Sequence, residues 1–141
     1  MLKNVPPEVT PELLLTLAEM GHGDRLAVVD RNFPAYAGRL PVHPLPGLTI
    51  PGALRAILAL LPVDTFEDPP VHFMTPDGEP DARLEVHDEA LATMSEIEGR
   101  SIAGHGVERT PFYELAATAY AVVTTTETRS YACFLISKGV I

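Results

Sequence analysis

The sequence predicts a single α/β domain whose mainly parallel sheet is covered by helices on both faces, a three-layer αβα arrangement. Short apolar runs such as Leu26-Ala27-Val28-Val29 have the length and β-branched content of buried strands. Between them lie segments with helical apolar spacing, such as Leu13, Leu14, Leu17 and Met20. Helices alternating with buried strands are the order expected of a parallel sheet closed by crossover helices. The 141 residues show no internal repeat, low-complexity tract or composition break, so residues 1–141 read as one domain.

Each element has a local reason. Thr10 is a good N-cap, Pro11 suits the first helical position and Glu12 favours the positive helix end. The first helix is therefore predicted from about Pro11 to Met20, with Gly21 as its left-handed terminator. Arg25 to Val29 is the first strand. A second helix follows Thr49, with Leu54, Ile57, Leu58 and Leu61 on one face and Pro62 stopping it. Val71 to Met74 is a strand, His87 to Glu98 a helix ended by Gly99, and Ile102 to Glu108 a strand weakened by Gly104 and Gly106. Pro111 to Thr118 is a short helix, and Tyr120 to Thr124 and Tyr131 to Ile136 are strands. Ten of the 14 prolines fall in two stretches, Pro34–Pro51 and Pro62–Pro80, which read as structured loops because apolar residues interleave with them.

Composition narrows the function. A net charge of −9 opposes binding to nucleic acid or to an anionic membrane surface, and a neutral substrate is the easier fit. No apolar run approaches the ~20 residues that span a bilayer, and the N-terminal segment lacks the apolar stretch of a signal peptide. The single cysteine, Cys133, excludes an intrachain disulfide and suits the cytoplasm.

His22, set between Gly21 and Gly23, follows the first helix. The negative helix end favours a protonated imidazole there, so His22 is a candidate acid/base, or a cap on the helix carbonyls. Asp24 either pairs with Arg25 or accepts a backbone N–H in the turn. Asp30 ends the first strand, where ligands of such sheets bind, or serves only as a turn residue. His22 and Asp30 flank one strand and suggest an acid/base site. Arg109 sits at a strand-to-helix junction, able to bind sugar or carboxylate oxygens or a local acid. Tyr131 and Cys133 share a face of the last strand by period-two alternation and, taken alone, read as packing residues. His43, His72, His87 and His105 lack metal-ligand spacing and read as surface or core fillers. No G-x-S-x-G, Walker or Rossmann glycine motif is present.

Thr10-Pro11-Glu12-Leu13-Leu14, Leu17-Ala18-Glu19-Met20-Gly21-His22-Gly23-Asp24 and Val28-Val29-Asp30-Arg31-Asn32-Phe33-Pro34-Ala35 together resemble the L-fucose mutarotase and D-ribose pyranase family. The resemblance continues at Leu61-Pro62-Val63-Asp64-Thr65-Phe66, Glu108-Arg109-Thr110-Pro111-Phe112-Tyr113-Glu114, Ala119-Tyr120-Ala121-Val122-Val123 and Leu135-Ile136-Ser137-Lys138-Gly139-Val140. Met-Gly-His-Gly-Asp combined with Arg-x-x-Phe-Tyr-Glu favours the fucose branch. The resemblance implies an isomerase that interconverts anomers or ring forms of free monosaccharides without cofactor or metal. It also implies ring-shaped homo-oligomers, commonly decamers, with sites shared between subunits. His22 matches the family's proton donor, Asp30 and Arg109 match sugar-binding or orienting positions, and Tyr131 matches a residue contributed to the neighbour's site.

Two departures stand out. The family's ending is usually Gly-Glu-x-x-x-Tyr-Gly-Asn, whereas this chain has Thr126-Glu127-Thr128-Arg129-Ser130-Tyr131-Ala132-Cys133. Cys133 thus replaces an asparagine expected to contact sugar, and a thiol is weak as donor and acceptor alike. Tyr36 stands where fucose-type members often carry histidine or a small residue. These departures leave a second reading, a non-catalytic or weakly active sugar-binding protein of the same fold, and a third, a purely structural ring.

Overall fold

Thr10 opens the first helix as its sequence predicts. Its hydroxyl accepts the Leu13 N–H at 3.2 Å, and α1 (Pro11–Glu19) buries Leu13, Thr16 and Leu17. In the computed structural model, which describes residues 2–141, α1 ends at Glu19 and Met20 turns extended. The left-handed glycine of this turn is Gly23, at φ 83°, rather than Gly21. The last carbonyls of α1 are taken by the Lys138 ammonium, which donates to Leu17 O and Met20 O. A basic group from the far end of the chain therefore does the capping that His22 was a candidate for.

The strands are β1 (Arg25–Val29), β2 (Val42–Leu45), β3 (Val71–Thr75), β4 (Gly104–Glu108), β5 (Ala121–Thr125) and β6 (Phe134–Ser137). The remaining helices are α2 (Ile50–Leu58), α3 (Glu85–Glu98) and α4 (Arg109–Ala116), with a 3-10 turn at Ala35–Ala37. The six strands form one sheet in the order β2-β5-β1-β6-β3-β4. β1 and β5, β2 and β5, and β3 and β4 pair in parallel, while β6 runs antiparallel to both β1 and β3. Five strands thus point one way, and their carboxyl ends share one edge of the sheet.

Alternation along the strands builds two cores. Leu26, Val28, Val71, Phe73, Val123, Phe134 and Ile136 pack against α1, α2 and α3. Ala27, Val29, Met74, Val122, Cys133 and Leu135 pack against α4, through Phe112 and Ala116, and against Ala35. The three-layer expectation is met.

Three boundaries differ from expectation for physical reasons. β2 contains Pro44, which argues for a loop; it is tolerated because β2 is an edge strand bonded only to β5. β4 forms although two of its five residues are glycine. A Cβ at Gly106 would lie 2.8 Å from Thr75 Cγ2 and 3.0 Å from Pro80 O, so glycine permits close approach there. The last strand starts at Phe134, and Tyr131 precedes it in a turn, with φ 60°.

Candidate functional site

β1 ends at Val29, and Asp30 follows at the carboxyl edge of the sheet. Asp30 Oδ1 accepts the Asn32 N–H at 2.9 Å, an Asx turn that fixes the carboxylate and leaves Oδ2 turned to the Cys133 thiol at 3.5 Å. Burial, and then the charge of Asp30, push the Cys133 thiol well up, so it stays protonated and donates to the carboxylate. Arg109, the first residue of α4, reaches back across the sheet edge to Asp77, with Nε at 2.9 Å and Nη2 at 2.6 Å from Oδ2. Its guanidinium also lies over the Tyr113 ring, 5.9 Å from the centroid.

Asp30, Arg109, Tyr131 and Cys133 line one cavity of about 120 Å³, together with Asn32, Phe33, Met74, Tyr113 and Ser130. Four of the five predicted site residues are thus brought together, at the strand carboxyl ends where ligands of such sheets bind. Tyr131 lines the same chain's cavity as Asp30. It lines the cavity from a left-handed turn, not from a strand face shared with Cys133. A larger apolar groove of about 340 Å³ adjoins, sharing Phe33 and Tyr113. Asp30, Arg109, Tyr131 and Cys133 line the smaller cavity, which is therefore the candidate site.

His22 is not in it. It lies before β1 and Asp30 after it, and the five-residue strand between them spans roughly 17 Å. The pairing of His22 with Asp30 in an acid/base site within one chain is therefore corrected. The His22 partner is Asp64, whose Oδ1 is 3.0 Å from Nε2. Asp64 is buried and accepts the N–H groups of Thr65, Phe66 and Glu67 at 2.9, 3.2 and 2.9 Å. Burial pushes its carboxyl up, but the backbone N–H donors and His22 outweigh that and hold it below the usual carboxylate range. An ionised acceptor favours the tautomer with its hydrogen on Nε2, which leaves Nδ1 as the bare nitrogen.

Gly139 puts Asp64 in place. A Cβ there would lie 2.8 Å from Val63 O and 2.9 Å from Asp64 Cα, so the 62–64 segment rests directly on the backbone after β6. The His22 side chain is 45% exposed and meets the Phe66 ring edge-on at 5.2 Å, with Phe66 itself 74% exposed. Asp24 accepts the Gly21 N–H at 2.7 Å, the turn role considered for it, while Arg25 pairs with Glu67. Asp64 is the residue sequence reasoning did not single out, although it lies in the Leu61–Phe66 stretch that carries the resemblance. Among the described residues no group of three or more His, Cys, Asp or Glu is placed to hold a metal ion, and no helix is long and apolar enough to cross a membrane.

Comparison with known proteins agrees along the whole chain. Residues 3–141 match the RbsD / FucU transport protein family. The chain is 38% identical over 140 residues to the L-fucose mutarotase of Actinobacillus pleuropneumoniae serotype 5b, covering 99% of this chain and 97% of that one. It is 40% identical over 147 residues to the fucose mutarotase of Homo sapiens, covering 99% and 94%. Its fold superposes on the crystal structure of the Streptococcus pneumoniae fucose mutarotase in complex with L-fucose with a TM-score of 0.82, at 35% identity and 99% coverage of each chain. A match of this length and identity, on a sheet of this topology, establishes that the chain belongs to the RbsD / FucU family.

Proposed function

We propose that the protein is a monosaccharide mutarotase that interconverts the α and β anomers of L-fucose or a closely similar free aldose by general acid/base catalysis. The observation that carries this reading is the pairing of two separate half-sites with full-length similarity to fucose mutarotases. One half holds Asp30, Arg109, Tyr131 and Cys133 around a cavity, and the other presents an exposed imidazole backed by Asp64.

The chemistry needs little more. Opening a pyranose hemiacetal requires a proton delivered to the ring oxygen and one removed from the anomeric hydroxyl. Reclosure on the opposite carbonyl face gives the other anomer. His22 exchanges both protons through Nδ1, directly or through water, because Nε2 is held by Asp64. Asp30 accepts from a sugar hydroxyl, Tyr131 and Arg109 donate to sugar oxygens, and the Cys133 thiol shares Asp30 with the sugar. General acid/base assistance of ~10²–10⁴-fold, added to positioning, is sufficient for a reaction that already proceeds unaided.

His22 and the cavity come together only between subunits. A 120 Å³ cavity is well below the ~300 Å³ of a pocket that encloses a ligand, and one chain supplies only part of its wall. The exposed His22–Phe66 corner of a second copy is the missing wall, delivering the imidazole to Asp30 while Phe66 covers apolar surface. We read the assembly as a ring-shaped homo-oligomer, a decamer as in the family it resembles, working in the cytoplasm where Cys133 stays reduced.

The test is exchange NMR on equilibrated L-fucose, with D-ribose, D-galactose and D-glucose alongside, for wild type and His22→Ala. Faster anomer exchange with wild type alone is expected, with fucose binding retained in the variant and a sedimentation mass several times 15.2 kDa. Sugar binding without acceleration would leave a sugar-binding protein of the same fold, and a monomer would remove the shared site.

A further inference from the structure

His87 is a buried titratable group that the chemistry above does not use. It lies in the first turn of α3 and is fully buried, at 0% exposure. Its Nδ1 accepts the Leu84 N–H at 3.1 Å, which caps the helix, and its Nε2 lies 3.0 Å from the Tyr131 carbonyl oxygen. A neutral imidazole carries one proton, and Nδ1 is already an acceptor, so the proton sits on Nε2 and is donated to Tyr131. The ring lies tilted over Phe73 at 4.4 Å and meets Phe134 edge-on at 6.1 Å, packed between the two. Burial lowers the His87 pKa, opposed by the Tyr131 and Met74 carbonyls and by Asp88 and assisted by Arg83, so the ring is neutral at pH 7 as this geometry needs.

The acceptor is an unusual residue. Tyr131 holds φ 60°, a left-handed conformation that a bulky side chain keeps only where its surroundings enforce it. That turn sets Tyr131 in the cavity wall and delivers the chain to Cys133 two residues later, beside Asp30.

We propose that His87 is a positioning residue for the sugar site, holding Tyr131 in its left-handed turn through the Nε2–H bond to the Tyr131 carbonyl. This rests on the reading of the cavity as the sugar site, but the positioning itself is separable from it. The link runs from the first turn of α3, on one face of the sheet, to a cavity whose floor is the opposite core, so it couples helix packing to substrate binding.

Two variants separate positioning from simple capping. His87→Glu keeps an acceptor for the Leu84 N–H, as in a capping box, but has no donor for Tyr131. His87→Gln keeps both, an amide oxygen and an amide N–H. We expect a neutron structure of wild type to show the proton on Nε2, and crystal structures to show Tyr131 leaving φ 60° in His87→Glu but not in His87→Gln. For L-fucose, KM is expected to rise about tenfold in His87→Glu with kcat within about twofold, and both to stay within about twofold in His87→Gln. A proton on Nδ1, Tyr131 unmoved in His87→Glu, or equal KM effects in the two variants would overturn the proposal. If His87→Glu does not fold, the wild-type proton position and the His87→Gln values decide it by the same criteria. If wild type binds no fucose, the sugar reading falls, and the Tyr131 backbone still tells whether His87 positions it.

Discussion

Glu127→Gln is expected to destabilise the protein at neutral pH and to flatten its acid unfolding. Glu127 is 2% exposed and lies just beyond β5. Its carboxylate accepts the backbone N–H of Ile50 at 3.2 Å and those of Thr128 and Arg129 at 3.0 Å each. Arg129 adds a fork, with Nε and Nη2 each 3.0 Å from the carboxylate oxygens. The Arg129 guanidinium, working against burial and helped by the N–H groups of Arg129 and Ile50, brings the carboxyl from its ordinary 4.5 down to about 2. At 1.36 kcal/mol per pH unit, a fall of that size corresponds to about 3 kcal/mol.

The sign follows from the direction of the shift. The folded value lies below the unfolded one, so the stabilisation is complete above pH 4.5 and is lost as pH falls through about 2. Glutamine keeps an acceptor but turns two donors toward N–H groups, and it does not titrate. Urea unfolding at fixed protein concentration and low salt, at pH 7, 4 and 3, reads the difference. Wild type should exceed Glu127→Gln by about 3 kcal/mol at pH 7, with the gap shrinking to roughly half by pH 3. A gap that stays constant from pH 7 to pH 3 would falsify the assignment of this clamp to an ionised Glu127. The site shares the outcome, because the Glu127 carbonyl also accepts the N–H of Arg31, next to Asp30, at 3.2 Å.

Asp64→Asn keeps the shape but no longer fixes the proton on His22 Nε2. Anomer exchange should slow by roughly tenfold or more, a part of the ~10²–10⁴ available to acid/base catalysis, with fucose affinity unchanged; an unaltered rate would exclude the dyad from the chemistry. Cys133→Asn replaces a thiol by an amide beside Asp30. It should lower KM for L-fucose by up to about tenfold, the value of one neutral hydrogen bond, and a raised KM would mean the cavity is shaped for the thiol. His87 and His43 have pKa values lowered by burial, so their contribution to stability is present above 6.5 and is lost as pH falls through the folded values. His87→Gln should accordingly reduce the stability lost between pH 7 and 5, measured by thermal melting at each pH, and an unchanged slope would place the acid sensitivity elsewhere.

The layers of the fold were legible because they are written locally. Thr10, Pro11 and Glu12 mark a helix start that the structure keeps, and Gly99 ends α3 at φ 67°. The four β-branched and aliphatic residues from Leu26 to Val29 are buried on both faces, as an inner strand of a covered sheet must be. β2 was illegible because Pro44 speaks against a strand, and only its edge position, a tertiary fact, makes it harmless. Tyr131 was misplaced because apolar Phe134-Leu135-Ile136 extends backward without a break in pattern. What stops the strand is a left-handed turn tied to His87, 44 residues earlier in the chain.

The cavity was legible for the same reason the layers were. Asp30 and Arg109 each follow a strand that points to the same edge, so topology alone gathers them. That logic also shows why His22 is absent from the cavity. Two residues flanking one strand are brought to opposite edges of the sheet by the strand itself, however close they are in sequence. His22 therefore shares its edge with residues near the ends of antiparallel β6, and this is where Asp64 meets it beneath Gly139. On the proposed reading, a histidine with a buried carboxylate behind it and an exposed phenylalanine beside it has the form of a catalytic group offered outward. A small cavity with an aspartate, an arginine and a tyrosine but no imidazole has the complementary form. On the proposed reading each edge of the sheet carries half of the acid/base chemistry, so a site is completed only where the two edges of identical subunits meet in a closed assembly that leaves none over.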